Sequence, residues 1–319
     1  MKLKEQREVF EREKQIYESC KVKFLGVDGF DVYNSSIPFY WNGKRYIYGR
    51  VEKRNEWARS WARLFEETGR DEWTLVQGDM IYQLEDPYIA VINRELILGG
   101  THVRKKQGVV DTYYGYFYRG EDIHDLNYFT TGPDYMKDIR LVQLKDNRVG
   151  VFSRPRSEEI RALHGSESII GFAVINDISE LNADVINNAA KIDGLFEEDE
   201  WGGCNQCYYL DSGKIGVIGH KSYKRTDKDG KDILAYMNMS FVYDMKEHKA
   251  LDVKIIGTRS CYPEGPAKTP ALVDCAFTSG IVMREDGKAD LYSGIGDAEV
   301  GRIVIDYPFE GYGKIVSTI

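Results

Sequence analysis

The sequence predicts an all-β fold, a five-bladed β-propeller with an N-terminal helix and a short helical insertion. Three observations predict it. After Gly26 the chain is a succession of short apolar runs separated by turn signals, the texture of an all-β protein. Five stretches then share one design: a polar lip, an apolar run, a tight turn, and a second apolar run ending in polar residues. These stretches recur at intervals of roughly 50 to 75 residues, about the length of a four-stranded blade. One such unit cannot bury its own sheet faces, so the units must pack radially. A β-sandwich with long hairpins is the main alternative, but it does not predict five units of one internal pattern.

Residues 2–21 read as a helix, because Val9, Phe10, Ile16, Tyr17 and Cys20 recur near a 3.6-residue period between charges. This gives a helical arm over 1–22 and a propeller domain over 23–319. The first unit, "GFDVYNSSIPFYWNGKRYIYGRVE" (29–52), turns at Asn42-Gly43. The second, "QLEDPYIAVINRELILGG" (83–100), turns at Asn93. The third, "KDIRLVQLKDNRVGVFSRPR" (137–156), turns at Asp146-Asn147. The fourth, "CNQCYYLDSGKIGVIGHKSY" (204–223), turns at Ser212-Gly213, and the fifth, "VDCAFTSGIVMREDGKADLYSGIGDAEVG" (273–301), at Asp286-Gly287. Asn-Gly and Asp-Gly between apolar runs are strong hairpin signals, since both turn residues tolerate positive φ. "ARSWARLFEET" (58–68) fits a helical or a strand period, and the need for an outer strand favours strand. "SELNADVINNAAK" (179–191) predicts the helical insertion, with Ser179 as N-cap and Leu181, Val185, Ala189 and Ile192 on one face.

Composition narrows the function. The 319 residues hold 43 Lys and Arg against 51 Asp and Glu, a net charge of −8, with the two signs interleaved. A nucleic-acid partner is therefore not expected. The 22 tyrosines and 5 tryptophans suit sheet cores and also sugar faces. The chain opens "MKLKEQREVFEREK", with no apolar leader, and no apolar run approaches membrane-span length. With five cysteines, an odd number, the expectation is a soluble, reduced, cytoplasmic protein. Cys204 and Cys207 form a CxxC, but Cys261 and Cys275 lie too far apart to supply a second close pair. The CxxC is read as packing, and no metal is expected.

In an antiparallel hairpin the start of the first strand and the end of the second lie at the same end. The starts carry Asp31, Asp86, Lys137-Asp138, Asn205-Gln206 and Asp274. The ends carry Arg50, His102, Arg104, Arg154, His220 and Asp297. In a propeller these ends face one mouth of the central channel, so five units deliver acids, cations and amides to one funnel. Pro87 fixes the entry of its strand where no ladder bond is needed. Taken singly, each lip residue is explained by loop capping or a surface ion pair. Their convergence argues for a polar ligand. Carboxylates with aromatics suit a carbohydrate. Hydrolysis by inversion needs two carboxylates, whereas phosphorolysis needs one, because phosphate attacks without a base when cations hold it in line. Lys137, Arg154 and His220 would form such an anion pocket.

The motifs "EDPYIA", "KDIRLVQL…VFSRP", "GKIGVIGH" and "FTSGIV…LYSGIGDAEVG" resemble the blade motifs of inverting β-mannoside phosphorylases. With "DVYNSSIPF" and "GRVE", the likeness is closer to the related β-1,2-mannan mannosyltransferase/phosphorylases, long catalogued as a domain of unknown function. It runs from about residue 24 to the C-terminus. The resemblance implies that Asp86 is the general acid, acting through the sugar's 3-hydroxyl. It places Arg154 and His220 in the phosphate pocket, with Lys137 and Asp138 at a further phosphate-contacting pair. Arg50 and Asp297 would hold the mannose at which cleavage occurs, with Asp31 and Asn34 lining that subsite. Glu52, Trp201, Asn205 and Asp274 would meet the next sugar.

Two departures stand out. The phosphorylases carry a pocket lysine in a Gly-rich stretch that here reads "EWGGCNQC", so that contact is missing or supplied by Lys221 or Arg156. The Arg that usually follows Glu-Asp-Pro is Tyr88. Both weaken pure phosphorolysis against transfer from a nucleotide sugar. The expected activity is inverting, reversible phosphorolysis of β-1,2-linked manno-oligosaccharides to α-mannose 1-phosphate. Inorganic phosphate is the co-substrate, and no cofactor is needed. The alternatives are a nucleotide-sugar-dependent mannosyltransferase, a five-bladed hydrolase pairing Asp86 with Asp297 or Asp274, and a non-catalytic sugar-binding propeller. A homo-oligomer through the N-terminal helix is a further expectation.

Overall fold

Residues 2–227 and 229–316 are described by a computed structural model. The chain is mostly β, and each of the five expected turns is present. Asn42-Gly43, Asn93-Arg94, Asn147, Gly213 and Gly287 all sit at positive φ, as the tight reversals require.

Three antiparallel sheets have four strands each. The first orders Glu85–Ile92, Glu95–Lys106, Val109–Gly120 and Asn127–Thr131 from one edge to the other. The next orders Arg140–Gln143, Val149–Ser153, Ile170–Ile175 and Ala190–Ile192. The third orders Glu200–Tyr209, Ile215–Thr226, Asp232–Asp244 and Lys249–Gly257. A fourth sheet has nine strands. Its C-terminal part runs Ala276–Met283, Ala289–Ile295, Glu299–Ile305 and then Glu18–Leu25 from the N-terminus. Its remainder runs Glu72–Leu75, Trp61–Gly69 and Lys44–Glu52, the last flanked by Asp31–Tyr33 and Phe39–Trp41. A short parallel pairing, Lys23 to Leu25 with Glu72 to Thr74, joins the two parts, and the other pairings in this sheet are antiparallel.

The apolar cores lie between consecutive sheets. Phe39, Tyr48 and Leu64 pack on Ile89, Leu96 and Leu98. Tyr88, Ile97 and Phe117 pack on Leu141, Val149 and Val151. Val142, Phe152 and Phe172 meet Cys204, Val217 and Phe241. Tyr208, Ile218 and Val242 meet Ala276, Ile281 and Leu291. Val22, Tyr292 and Val300 return to Val32, Ile47 and Phe65. The last contact closes a ring, a propeller-like arrangement in which every sheet buries both faces.

The expected N-terminal helix is shorter than its periodicity suggests. It spans Leu3–Glu13, and Glu18–Leu25 is a strand that runs across position 22. Pairing of Glu18 to Val22 with Val300 to Val304 overrides the local period there. Leu3 is buried against Met237 and Ile255, and Phe10 packs beside it, so the helix covers a sheet of its own chain. The insertion also differs. A 3-10 turn at Ile178–Glu180 precedes a helix at Ala183–Asn187, whose N-cap is Asn182 and not Ser179; the Asn182 side chain accepts the Val185 N–H. Residues 58–68 contribute the strand Trp61–Gly69, as blade geometry requires. A further helix, Glu158–His164, was not expected; it buries none of its residues, Leu163 included. Cys204 and Cys207 are buried in a core as free thiols. Among the described residues, no helix is long and apolar enough to cross a membrane.

Candidate active site

The site begins with backbone geometry. Asn34, Asp86, Asp138 and Asp297 have φ of 42°, 49°, 59° and 51°. Left-handed backbone costs most L-residues about 1 kcal/mol or more, and Asn and Asp tolerate it best. Four lip positions in different units thus adopt the same uncommon conformation, and all four side chains turn into shared polar networks. Left-handed residues whose side chains are held in buried polar networks, unlike those in the surface turns, mark candidate functional positions. Register breaks between Glu85 and Tyr88, between Cys204 and Gln206, and between Thr278 and Gly280 bend the strands at the same end.

One network is rich in carboxylates. Arg50, buried, donates from Nη1 to Asp86 Oδ1 (2.9 Å), from Nη2 to Glu85 Oε1 (2.9 Å) and from Nε to Ser60 Oγ (2.7 Å). It lies 4.7 Å from the ring centre of Tyr33. Asn34 Nδ2 donates to Asp86 Oδ1 (2.9 Å) and Asp297 Oδ1 (3.2 Å). Glu52 accepts from Tyr33 and Lys268, and from the Arg59 N–H at 2.7 Å. Both donors to Asp86 reach Oδ1, and among the described residues none reaches Oδ2. Burial raises Glu85 above the usual carboxylate range despite Arg50 and Lys137, and it raises Asp297 in the same way. Burial also opposes the charge on Glu52, but Arg50, Lys268 and Tyr33 outweigh it and hold that carboxyl low.

The other network is rich in cations. Asp138, buried, takes Arg154 Nη1 at 2.8 Å, Arg140 Nη2 at 3.6 Å and His220 Nε2 at 4.0 Å. Arg154 Nε donates to the Gly202 carbonyl (2.6 Å), and Arg140 Nε to the Asn205 carbonyl (2.8 Å). Gly203 makes room for this: a Cβ there would stand 2.9 Å from Arg154 Cδ. Burial would raise Asp138, but Arg154, His220, Arg140 and Lys137 together pull it down to about 2. Burial pushes His220 down to about 3 against the pull of Asp138. Its imidazole is therefore neutral at physiological pH, with Nδ1 2.8 Å from Asn205 Oδ1.

The networks meet. Burial works against the charge on Lys137, yet Glu85, Asp86 and Asp138 more than restore it, so its ammonium sits in the field of both. A cavity of about 10 Å³ lies between Asn34 and Asp86 on one side and Arg140 and Asn205 on the other, with Tyr88 and Phe277 in its wall. A far larger concavity, about 900 Å³, lies elsewhere, at the turn ends beside Asn93, Arg94, Gln143 and Asp211. Volume therefore does not locate the chemistry here; the buried charge does.

A family profile described as protein of unknown function (DUF1861) matches residues 8–311. The chain belongs to that family. MPT-4, a mannose phosphorylase from Leishmania mexicana solved with a phosphate ion, is 55% identical, with a TM-score of 0.94 over 99% of this chain and 96% of that one. MPT-1, a GDP-Man-dependent mannosyltransferase from the same organism, is 48% identical, with a TM-score of 0.93 over 100% and 99%. A β-1,2-mannobiose phosphorylase from Listeria innocua shares 13% identity and a TM-score of 0.59 over 88% and 91%, a likeness of fold alone. No match to a curated protein was found.

In this DUF1861 chain the structure brings Asn34, Arg50, Glu52, Asp86 and Asp297 into one network and Asp138, Arg154, Asn205 and His220 into the adjoining one, with Lys137 in the field of both. Three expected residues stand apart from both. Asp31 pairs with the half-exposed Arg54, at 2.8 Å from Nη2. Both oxygens of Asp274 are taken by Arg7 (2.6 and 2.9 Å), and Arg225 adds a third bond at 2.6 Å. Trp201 is buried, its indole N–H donating to the Tyr236 hydroxyl at 3.2 Å. Neither substitute for the missing pocket lysine joins the site: Lys221 is paired with Glu200 at 3.0 Å and Arg156 with Glu167 at 2.6 Å. Sequence reasoning missed Glu85, Arg140, Tyr33, Ser60 and Lys268. Arg140 carried a signal, since alternation puts it on the same side as Asp138. Its guanidinium lies over the Tyr88 ring at 4.3 Å, so Tyr88 gives a cation a floor in place of supplying one. Glu18, Cys20 and Asp71 group as potential metal ligands, but Arg302 already bonds both carboxylates.

Proposed function

We propose that this chain is an inverting, reversible glycoside phosphorylase of β-1,2-linked manno-oligosaccharides, releasing α-mannose 1-phosphate. The observation that carries this is the apposition of the two networks, with Asp86 beside a cationic nest of Lys137, Arg140 and Arg154. That the chain is a glycosyl-transferring enzyme rests on its two Leishmania relatives, a mannose phosphorylase and a mannosyltransferase, each about half identical over nearly the whole length. The sheet count supports five blades, the nine-stranded sheet being read as two blades joined through the Glu18–Leu25 strand.

Asp86 is the catalytic acid. Arg50 and Asn34 fix its Oδ1, which leaves Oδ2 for the proton passed toward the leaving oxygen. Glu85 and Asp297, raised by burial, keep protons close to that carboxyl. Phosphate is held by Arg154 and Lys137, and its charge favours protonation of His220, whose Nε2 then donates to it. Phosphate oxygen bonds to the anomeric carbon as the bond to the leaving sugar breaks, and the proton from Asp86 ends on that sugar's hydroxyl. The attack face is opposite the leaving group, so a β-linkage gives an α-phosphate. No cofactor enters this scheme.

Transfer from a nucleotide sugar is the second reading, favoured by the glycines at 202 and 203 where the phosphorylases carry a lysine. Incubation with β-1,2-mannobiose and inorganic phosphate, and separately with mannobiose and GDP-mannose, tests both. Phosphate-dependent release of α-mannose 1-phosphate is expected. Free mannose without phosphate would mean a hydrolase, elongation only from GDP-mannose a transferase, and sugar binding with no turnover a binding module.

A further inference from the structure

The loop between two buried site residues carries an unusual side chain. Glu52 ends the strand Lys44–Glu52 inside the carboxylate network, and Ser60 returns the chain to it by accepting from Arg50 Nε at 2.7 Å. Between them, Trp57 is 66% exposed. A lone exposed apolar residue needs no explanation, but this one is held in place. The Arg59 N–H donates to Glu52 at 2.7 Å, and the Glu56 N–H to the Lys53 carbonyl at 3.0 Å. Lys105 Nζ donates to the Trp57 carbonyl at 2.8 Å. Ala58, next in the chain, adopts φ of 54°, a left-handed conformation costly for alanine. A strained, triply pinned loop is thus used to hold an indole in solvent.

Its position is set by the chain. Two residues separate Trp57 from Ser60, so the chain between them spans at most about 10 Å. Lys105 lies beyond Thr101, the strand partner of Glu85, on the part of its strand that extends past the lip. Trp57 therefore lies on a short loop whose two ends, Glu52 and Ser60, belong to the network around Arg50 and Asp86, and which is tied through Lys105 to the strand that pairs with Glu85.

We infer that Trp57 is a stacking platform for an outer sugar ring of the oligosaccharide and sets the preference for chain length. The inference rests on the glycoside reading above. An indole face offers an apolar surface to the C–H face of a pyranose, and a loop fixed before binding loses little entropy on contact.

The test is a series of manno-oligosaccharide acceptors of increasing length, with mannose 1-phosphate as donor, for wild type, W57F and W57A. W57A is expected to raise KM for the longer acceptors about 10-fold, to leave the shortest unchanged, and to spare kcat; W57F should fall between. A length profile parallel to wild type would overturn the inference while leaving the phosphorylase reading intact. If no mannoside is turned over, that reading fails instead, and tryptophan fluorescence then decides the platform on its own. Oligosaccharide should shift the emission of wild type to the blue and protect it from acrylamide, and should do neither in W57F. Equal responses in the two proteins would remove Trp57 from sugar contact.

Discussion

The two halves of the site are built from the same lip positions and carry opposite chemistry. Around Arg50 stand four carboxylates, Glu52, Glu85, Asp86 and Asp297, with Lys268 as the second cation. Around Asp138 stand Arg140, Arg154 and His220, with one carboxylate among them. Burial then acts differently on each. In the first half burial, with the neighbouring carboxylates adding to it, outweighs Arg50, so Glu85 and Asp297 are pushed toward holding protons. In the second, the surrounding cations overcome burial and lock Asp138 ionised, while burial, with the same cations adding to it, keeps His220 neutral against the pull of Asp138. The difference teaches that one ring of lips stores a proton on one side and room for an anion on the other. That is the pair of properties a single-acid displacement by phosphate requires.

Breaking the proton side should have the largest effect. Asp86→Asn keeps the shape and both donors' partner atom, and is expected to lower turnover by about 10³-fold with an unchanged circular dichroism spectrum. Retained activity would remove Asp86 from its role. On the anion side, Arg154→Ala leaves Asp138 buried with one fewer partner. A loss of about 3 kcal/mol in denaturant unfolding is expected, together with loss of phosphate-dependent activity; Arg154→Lys should recover stability before activity.

Lys137 sharpens the comparison, because it lies in the field of both halves and forms no hydrogen bond among the described residues. Lys137→Ala should raise KM for phosphate about 10-fold while moving the melting temperature little. An equal rise for the mannoside alone would place Lys137 on the sugar side.

His220 gives a pH signature. Its folded value of about 3 lies below the ordinary 6.5, so between these the unfolded chain binds the extra proton. Stability should therefore rise with pH across that window and fall on acidification, by up to about 1.4 kcal/mol per pH unit from this group. Asp138, held at about 2 from 3.8, adds a loss of the same sign at the acid end. His220→Asn should flatten the slope between pH 6 and 4, measured by urea titration at each pH. The smallest effect is expected at Asp31, which pairs with a half-exposed arginine away from both networks. Asp31→Asn should change kcat/KM less than about twofold and stability by less than about 0.5 kcal/mol.

How much of this was legible in the sequence follows from the range of each interaction. The five hairpins were readable because turn residues act locally: Asn-Gly, Ser-Gly and Asp-Gly in three of them, Asn93-Arg94 and Asp146-Asn147 in the other two. Asp86, Asp138 and Asp297 were readable because they stand at hairpin ends, before the first strand or after the second, whereas Asn34 came only with the family resemblance. The strand Glu18–Leu25 was not, because its partner lies at the far end of the chain and a helical period happened to run into it. Lys268 was not, because it reaches Glu52 from a loop outside the repeats. Glu85 was visible in the lip but indistinguishable from a solvated acid until its burial against Arg50 was seen. Asp31 and Asp274 occupied lip positions, yet nearby arginines claim them, a competition that spacing does not reveal.

The claim that one half holds phosphate is most directly tested by a crystal structure of the protein soaked with inorganic phosphate. The account predicts tetrahedral density within hydrogen-bond distance of Arg154, Lys137 and His220 Nε2, on the side facing Asp86. Phosphate bound only away from Arg154 and His220, or none at saturating concentration, would contradict it.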